Sequence, residues 1–103
     1  MPIKKEITLF TNKKVKNGYV IQVSDRTDIY KGKIHTIVLR TLKLGKPNRG
    51  AILHVVVKDF ETAMSIASLL ERFVKENRDN LSKKLKYWKF NEHILSFGFN
   101  HRN

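Results

Sequence analysis

Apolar and polar positions divide this chain of 103 residues into a half that alternates and a middle that is helical. In Gly18-Tyr19-Val20-Ile21-Gln22-Val23-Ser24, Tyr19, Ile21 and Val23 fall on one side of an extended backbone and Val20, Gln22 and Ser24 on the other. That two-residue period predicts a half-buried strand. Residues 3–10, 33–42 and 51–57 are also rich in the β-branched and aromatic side chains that suit a pleated surface. The last of these runs is apolar on both faces apart from His54, which puts it in the middle of a sheet or under a partner. Polar, turn-prone stretches lie between the runs, at residues 11–17, at Asp25-Arg26-Thr27-Asp28 and at Leu44-Gly45-Lys46-Pro47-Asn48-Arg49-Gly50. Connections this short predict antiparallel neighbours.

The period changes at Asp59, a good helix N-cap. From there Phe60, Ala63, Met64, Ala67, Leu70 and Val74 recur at helical spacing and predict a helix over residues 59–76. Ile66, Leu69 and Phe73 widen the apolar arc to roughly 200°, more than is needed to cover one sheet. The simplest cover for the excess is the same helix of a second copy, so Ile66, Leu69, Leu70 and Phe73 are the expected homodimer interface. Further on, Leu81-Ser82-Lys83-Lys84-Leu85-Lys86-Tyr87-Trp88-Lys89-Phe90 mixes cations with rings. His93-Ile94-Leu95-Ser96-Phe97-Gly98-Phe99 alternates, with Leu95, Phe97 and Phe99 on one face, as a fifth strand would. The expected architecture is therefore α+β: a four- to five-stranded antiparallel sheet followed by a long amphipathic helix. Residues 1–80 form the domain and residues 81–103 a basic aromatic extension.

Charge sharpens this picture. The chain has 21 Lys and Arg against 9 Asp and Glu, a formal net charge of +12, and its sequence pI is about 10.2. A polyanionic partner is the first inference from such a balance. The excess is uneven: residues 1–57 carry +9, residues 58–77 carry −1 and residues 78–103 carry +4. The cations thus belong to the sheet and the tail, while the main helix is nearly neutral.

Other chemistries find little support. There is no cysteine, which excludes disulfides, thiolate metal sites and thiol nucleophiles. His35, His54, His93 and His101 have no spacing that argues for a shared metal. Asp25 and Asp28, the one close acidic pair outside the helix region, look like turn residues, and no glycine-rich phosphate loop is present. Catalytic residues, a metal, a cofactor and a small-molecule substrate are accordingly not expected. No apolar stretch is long enough to cross a bilayer, and the first residues lack the apolar core of a signal peptide, so the expected location is cytoplasmic or nucleoid-associated.

One constellation is informative. Tyr30-Lys31-Gly32-Lys33 sets a ring beside two ammonium groups, so that it offers a base a stacking surface and its phosphates neutralising charge. Taken in order, a strand, this tetrapeptide, a strand that includes Ile37-Val38-Leu39-Arg40, the segment Lys46-Pro47-Asn48-Arg49-Gly50, a strand and an amphipathic helix resemble the PC4-like family of single-stranded-DNA-binding proteins, over residues 7–74. The resemblance implies a ββββα protomer and a helix-mediated dimer. It also implies that Tyr30 stacks on a base while Lys31, Lys33, Lys46 and Arg49 meet phosphates. The chain departs from the family pattern in a longer turn before Tyr30, in Leu42-Lys43 where the family has an aromatic, and in everything from Asn77 onward. Charge alone adds Lys13, Lys14, Lys16 and Arg40 as nucleic-acid contacts, and Lys83, Lys84, Lys86 and Lys89 in the extension, where Tyr87, Trp88 and Phe90 either stack on bases or pack on the sheet.

The expected function is sequence-tolerant binding of single-stranded DNA or RNA, without catalysis. Its rivals are an RNA- or duplex-binding architectural protein and a module that binds an acidic protein. A ribonuclease ranks last.

Overall fold

A computed structural model describes residues 3–30, 32–85 and 96–99. Four strands, β1 (Ile3–Leu9), β2 (Gly18–Asp28), β3 (Gly32–Lys43) and β4 (Lys46–Val57), lead into helix α1 (Phe60–Glu76). A 3-10 turn at Arg78–Asn80, a short helix α2 (Leu81–Leu85) and a strand β5 (Ser96–Phe99) follow. The strands form one antiparallel sheet in the order β1-β2-β3-β4-β5, so each neighbour in sequence is a neighbour in space. The fold is α+β, and β4 is an interior strand paired on both sides, as its doubly apolar sequence requires.

The strands are longer than their apolar runs. Asp25, Arg26, Thr27 and Asp28, expected in a turn, continue β2 opposite His35, Ile34, Lys33 and Gly32. The reversal comes after them, where the Asp28 carboxylate accepts the Tyr30 amide at 2.8 Å. Turn-prone composition yields to the ladder here because every one of these residues has a partner across the strand pair. The expected loop at residues 44–50 is likewise mostly strand. Only Leu44 and Gly45 turn the chain, with φ of 54° and 80°. Two successive positive φ values define the tight hairpin whose twist matches its flanking strands, and Gly45 accepts its angle without strain. Pro47, Asn48, Arg49 and Gly50 lie in β4, where pairing with β3 slips between Leu39 and Arg40 and again between Arg40 and Leu42. Such slips mark bulges, which admit proline and glycine into a strand.

Alternate residues of the strands build two faces. Ile21, Val23, Ile37, Leu39, Leu53, Val55 and Val57 point to one side and meet Ala63, Ile66, Ala67, Leu70 and Val74 of α1, with Leu9, Leu81 and Leu85 completing the core. Ala63 and Ala67 keep the helix close to the sheet. At its start the Asp59 carboxylate accepts the Thr62 amide and hydroxyl, both at 2.8 Å. At its end the Asn77 amide and side chain both donate to the Phe73 carbonyl at 3.0 Å. One correction follows for the expected dimer surface. Ile66 and Leu70 are spent in the protomer's own core, at 3% and 0% exposure, because the helix turns its small-residue stripe and these two branched side chains toward the sheet together. Leu69 faces outward at 51% exposure and Phe73 is partly buried.

Candidate nucleic-acid interface

The second face of the sheet has no helix among the described residues packed on it. Its register places Glu6 beside Gln22, Gln22 beside Val38 and Val38 beside His54, one row across four strands. Ser24 and Thr36 occupy the next row, and their hydroxyls bond each other at 2.8 Å. Together with Ile3, Arg26, Arg40, Arg49, Gly50 and Ala51 these residues, Glu6 excepted, line a shallow basin of about 510 Å³. Among the described residues three guanidinium groups and one imidazole border it, and no carboxylate does.

A chain of hydrogen bonds sets the geometry. Gln22 donates through Nε2 to Glu6 at 2.9 Å and accepts through Oε1 from Arg40 Nε at 3.2 Å. Arg40 then donates through Nη1 to the carbonyl oxygens of Asn48, at 3.2 Å, and of Arg49. The Arg40 guanidinium therefore ties the bulged part of β4 to the sheet and presents the Arg49 segment at the rim of the basin. Glu6, the carboxylate of the row, is occupied by Gln22, which leaves the cations of the basin without a close acidic partner among the described residues.

Toward the β1–β2 loop the same face continues into a smaller depression of about 300 Å³ with Glu6, Lys16, Val20, Leu42 and Pro47 in its wall. The loop is held in shape by Asn12, whose side-chain oxygen accepts the amides of Lys14 and Val15 at 2.8 Å. It is held in place by bonds to the β3–β4 turn, from the Gly45 amide to the Lys16 carbonyl at 2.9 Å and from the Leu44 amide to the Asn17 side chain at 2.9 Å. Exposed Lys13, Lys14 and Lys16 are thereby gathered with Lys46 at one end of the sheet. Tyr30, 90% exposed, and Ile29, 87% exposed, stand on the turn at the other end.

The expected contacts thus separate into groups. Arg40 and Arg49 belong to the basin, and Lys13, Lys14, Lys16 and Lys46 to one end of its face. Lys33 pairs with Thr27, and both belong to the alternate set that includes Ile37 and Leu39, so it sits on the helix side of the sheet. Lys83 and Lys84 are exposed on α2, away from the sheet face. Lys31, Lys86, Lys89, Tyr87, Trp88, Phe90, Leu95, His93 and His101 lie outside the described residues. Arg26, His54, Gln22, Ser24 and Thr36 were not among the expected contacts, although the alternation of β2, continued two residues past Ser24, puts Arg26 on the same side as Gln22.

At the opposite side, beside the start of α1, His35 Nδ1 lies 2.7 Å from Asp25, and its ring meets Phe60 edge to face at 5.4 Å. Lys4 approaches the other oxygen of Asp25 at 3.6 Å. The hydrogen bond from His35 holds the Asp25 carboxyl below its ordinary value, against the opposing effect of burial, with the charges of His35, Lys4 and Lys33 assisting. Among the described residues no three acidic or histidine side chains converge as metal ligands, and no helix is long and apolar enough to cross a membrane. Compared with protein-family models, curated proteins and solved structures, the chain matches none.

Proposed function

We propose that this protein binds single-stranded nucleic acid along the sheet face opposite α1, without regard to sequence. The observation that supports the reading most directly is the basin bordered by Arg26, Arg40 and Arg49 with no carboxylate among the described residues of its lining, continued toward one end by a depression that Lys16 and the Gln22-bonded Glu6 both line. Guanidinium groups bind phosphate oxygens through paired donors and stack on exposed bases, which suits an unpaired strand laid across a shallow surface. Tyr30, standing almost free on its turn, adds a stacking surface at the far end. β3 and β4 have 12 residues each, which at about 3.4 Å per residue is a track of about 41 Å, close to the longest dimension of the molecule, 42 Å.

The likeness to the PC4-like family belongs to this proposal. So does a homodimer, in which the outer side of α1, with Leu69 and the partly buried Met64 and Phe73, meets its copy. Fluorescence anisotropy with labelled oligo-dT, oligo-U and duplex of about 20 nucleotides, longer than the roughly 4–16 that a small domain covers, tests the reading across a salt series. The expected result is preference for the unpaired strands, with log affinity falling against log salt by roughly 0.7 for each phosphate neutralised. Equal or tighter binding of duplex overturns it. A native mass measurement at twice the protomer mass supports the dimer, and a monomer at all concentrations removes it.

A further inference from the structure

Of the described groups around the basin, only His54 is of a type that changes charge near neutral pH. It is half-buried in β4, opposite Val38 of β3 on one side and Gly98 of β5 on the other. The charged groups that share its basin are Arg26 from β2, Arg40 from β3 and Arg49 from its own strand, while β1 contributes Ile3. Glu6, farther along the same row, is bonded to Gln22. Burial first, and then repulsion from Arg26 and Arg40, hold the imidazole below its ordinary value of 6.5. In the free protein at neutral pH His54 is therefore uncharged.

An anion among these groups reverses the balance, because its negative charge favours the imidazolium that the guanidinium groups oppose. We propose that the basin is a proton-linked phosphodiester site, in which a backbone phosphate seated among Arg26, Arg40 and Arg49 bonds His54 and draws a proton onto it from solvent. This rests on the single-strand reading above and adds what that reading lacks, a dependence on pH carried by one residue. The sign follows from linkage. The proton is held more tightly in the bound state, so affinity is highest below the free value of His54, falls as pH rises through the interval up to the bound value, and is flat above it. One proton taken up changes affinity by at most about tenfold per pH unit within that interval.

The test measures binding of labelled oligo-dT from about pH 5 to 8, the range in which an imidazole titrates, at constant ionic strength, for the wild-type chain and for His54→Gln. The wild type binds more tightly toward acid. His54→Gln has lost most of the acid gain, whatever its affinity at the upper limit of pH, since the one titration is removed. Ring resonances of His54 give a second reading free of any substitution: their titration moves to higher pH when oligo-dT is added. In free Arg26→Gln the same titration also moves up, because a repelling charge is gone, while oligo-dT binding weakens. If oligo-dT binds but His54→Gln keeps the whole pH dependence, or if the His54 titration stays in place on binding, this inference falls and the single-strand reading stands. If oligo-dT fails to bind at low salt at every pH, both fall.

Discussion

The two faces of this sheet are made by the same strands, one residue apart, and they do opposite things with polar groups. On the helix side Ile21, Val23, Ile37, Leu39, Leu53 and Val55 are wholly buried beneath α1, and the charged Asp25, His35, Lys4 and Lys33 lie outside that core. On the other side Ser24 bonds Thr36 and Gln22 bonds Glu6 and Arg40 across strands, while Arg26, Arg40 and Arg49 surround a basin that no acidic side chain among the described residues borders. If the second face binds nucleic acid as proposed, stability and recognition are thereby separated. Changes on the first face act through packing and changes on the second through charge, and the sheet between them keeps the two sets of effects nearly independent.

The strongest way to break that separation is Leu70→Ala. Leu70 is fully buried against the sheet, and its truncation is expected to lower stability by about 2–5 kcal/mol in urea or thermal unfolding while oligonucleotide affinity per folded molecule is unchanged. A parallel loss of affinity in the folded fraction unites what the comparison separates. Next in size is Tyr30→Ala, which removes a ring that touches little of the protein. Affinity for oligo-dT is expected to drop by about 1–3 kcal/mol at every salt concentration, with the salt slope and melting temperature unaltered. Unchanged affinity takes Tyr30 out of the interface.

Arg49→Gln is a smaller and sharper probe. The Arg49 carbonyl, kept in the variant, is what Arg40 holds, so the bulge should survive with stability within about 0.5 kcal/mol. Binding is expected to weaken and the salt slope to flatten by roughly 0.7, one phosphate fewer. A flattened slope in Lys33→Gln of equal size contradicts the assignment of that lysine to the helix side. The smallest effect belongs to Asp25→Asn. The Asp25 carboxyl is held below its ordinary value of 3.8, so its stabilisation is present above that value and is lost as pH falls through the lower, folded one. Asp25→Asn should flatten the acid limb of a stability profile there and leave oligonucleotide binding at neutral pH alone.

Much of the frame was legible beforehand. The four strand cores, the helix from Asp59 and the position of a fifth strand rest on local period and capping, which short stretches of chain express by themselves. The strand ends were harder. Asp25 to Asp28 and Lys46 to Gly50 have the composition of turns, and what holds them extended is pairing with His35 to Gly32, pairing of Lys46 and Pro47 with Lys43 and Leu42, and the Arg40 guanidinium on the Asn48 and Arg49 carbonyls, partners the local pattern does not display. The site was half legible for the same reason. Arg40 was named for its charge and Arg49 by the resemblance, but Arg26 was hidden in a supposed turn, and Lys33, named with Arg49, emerges on the helix side of the sheet.

The sequence by itself determined the elements and the uneven distribution of charge between sheet and helix, because hydrophobic period and charge are properties of neighbours along the chain. Only the tertiary structure decided which cations share a surface. Side-chain direction alternates along a strand, so pairing register and bulges choose the face on which each residue emerges. The same packing decided that Ile66 and Leu70 close the protomer's core while Leu69 stays outside.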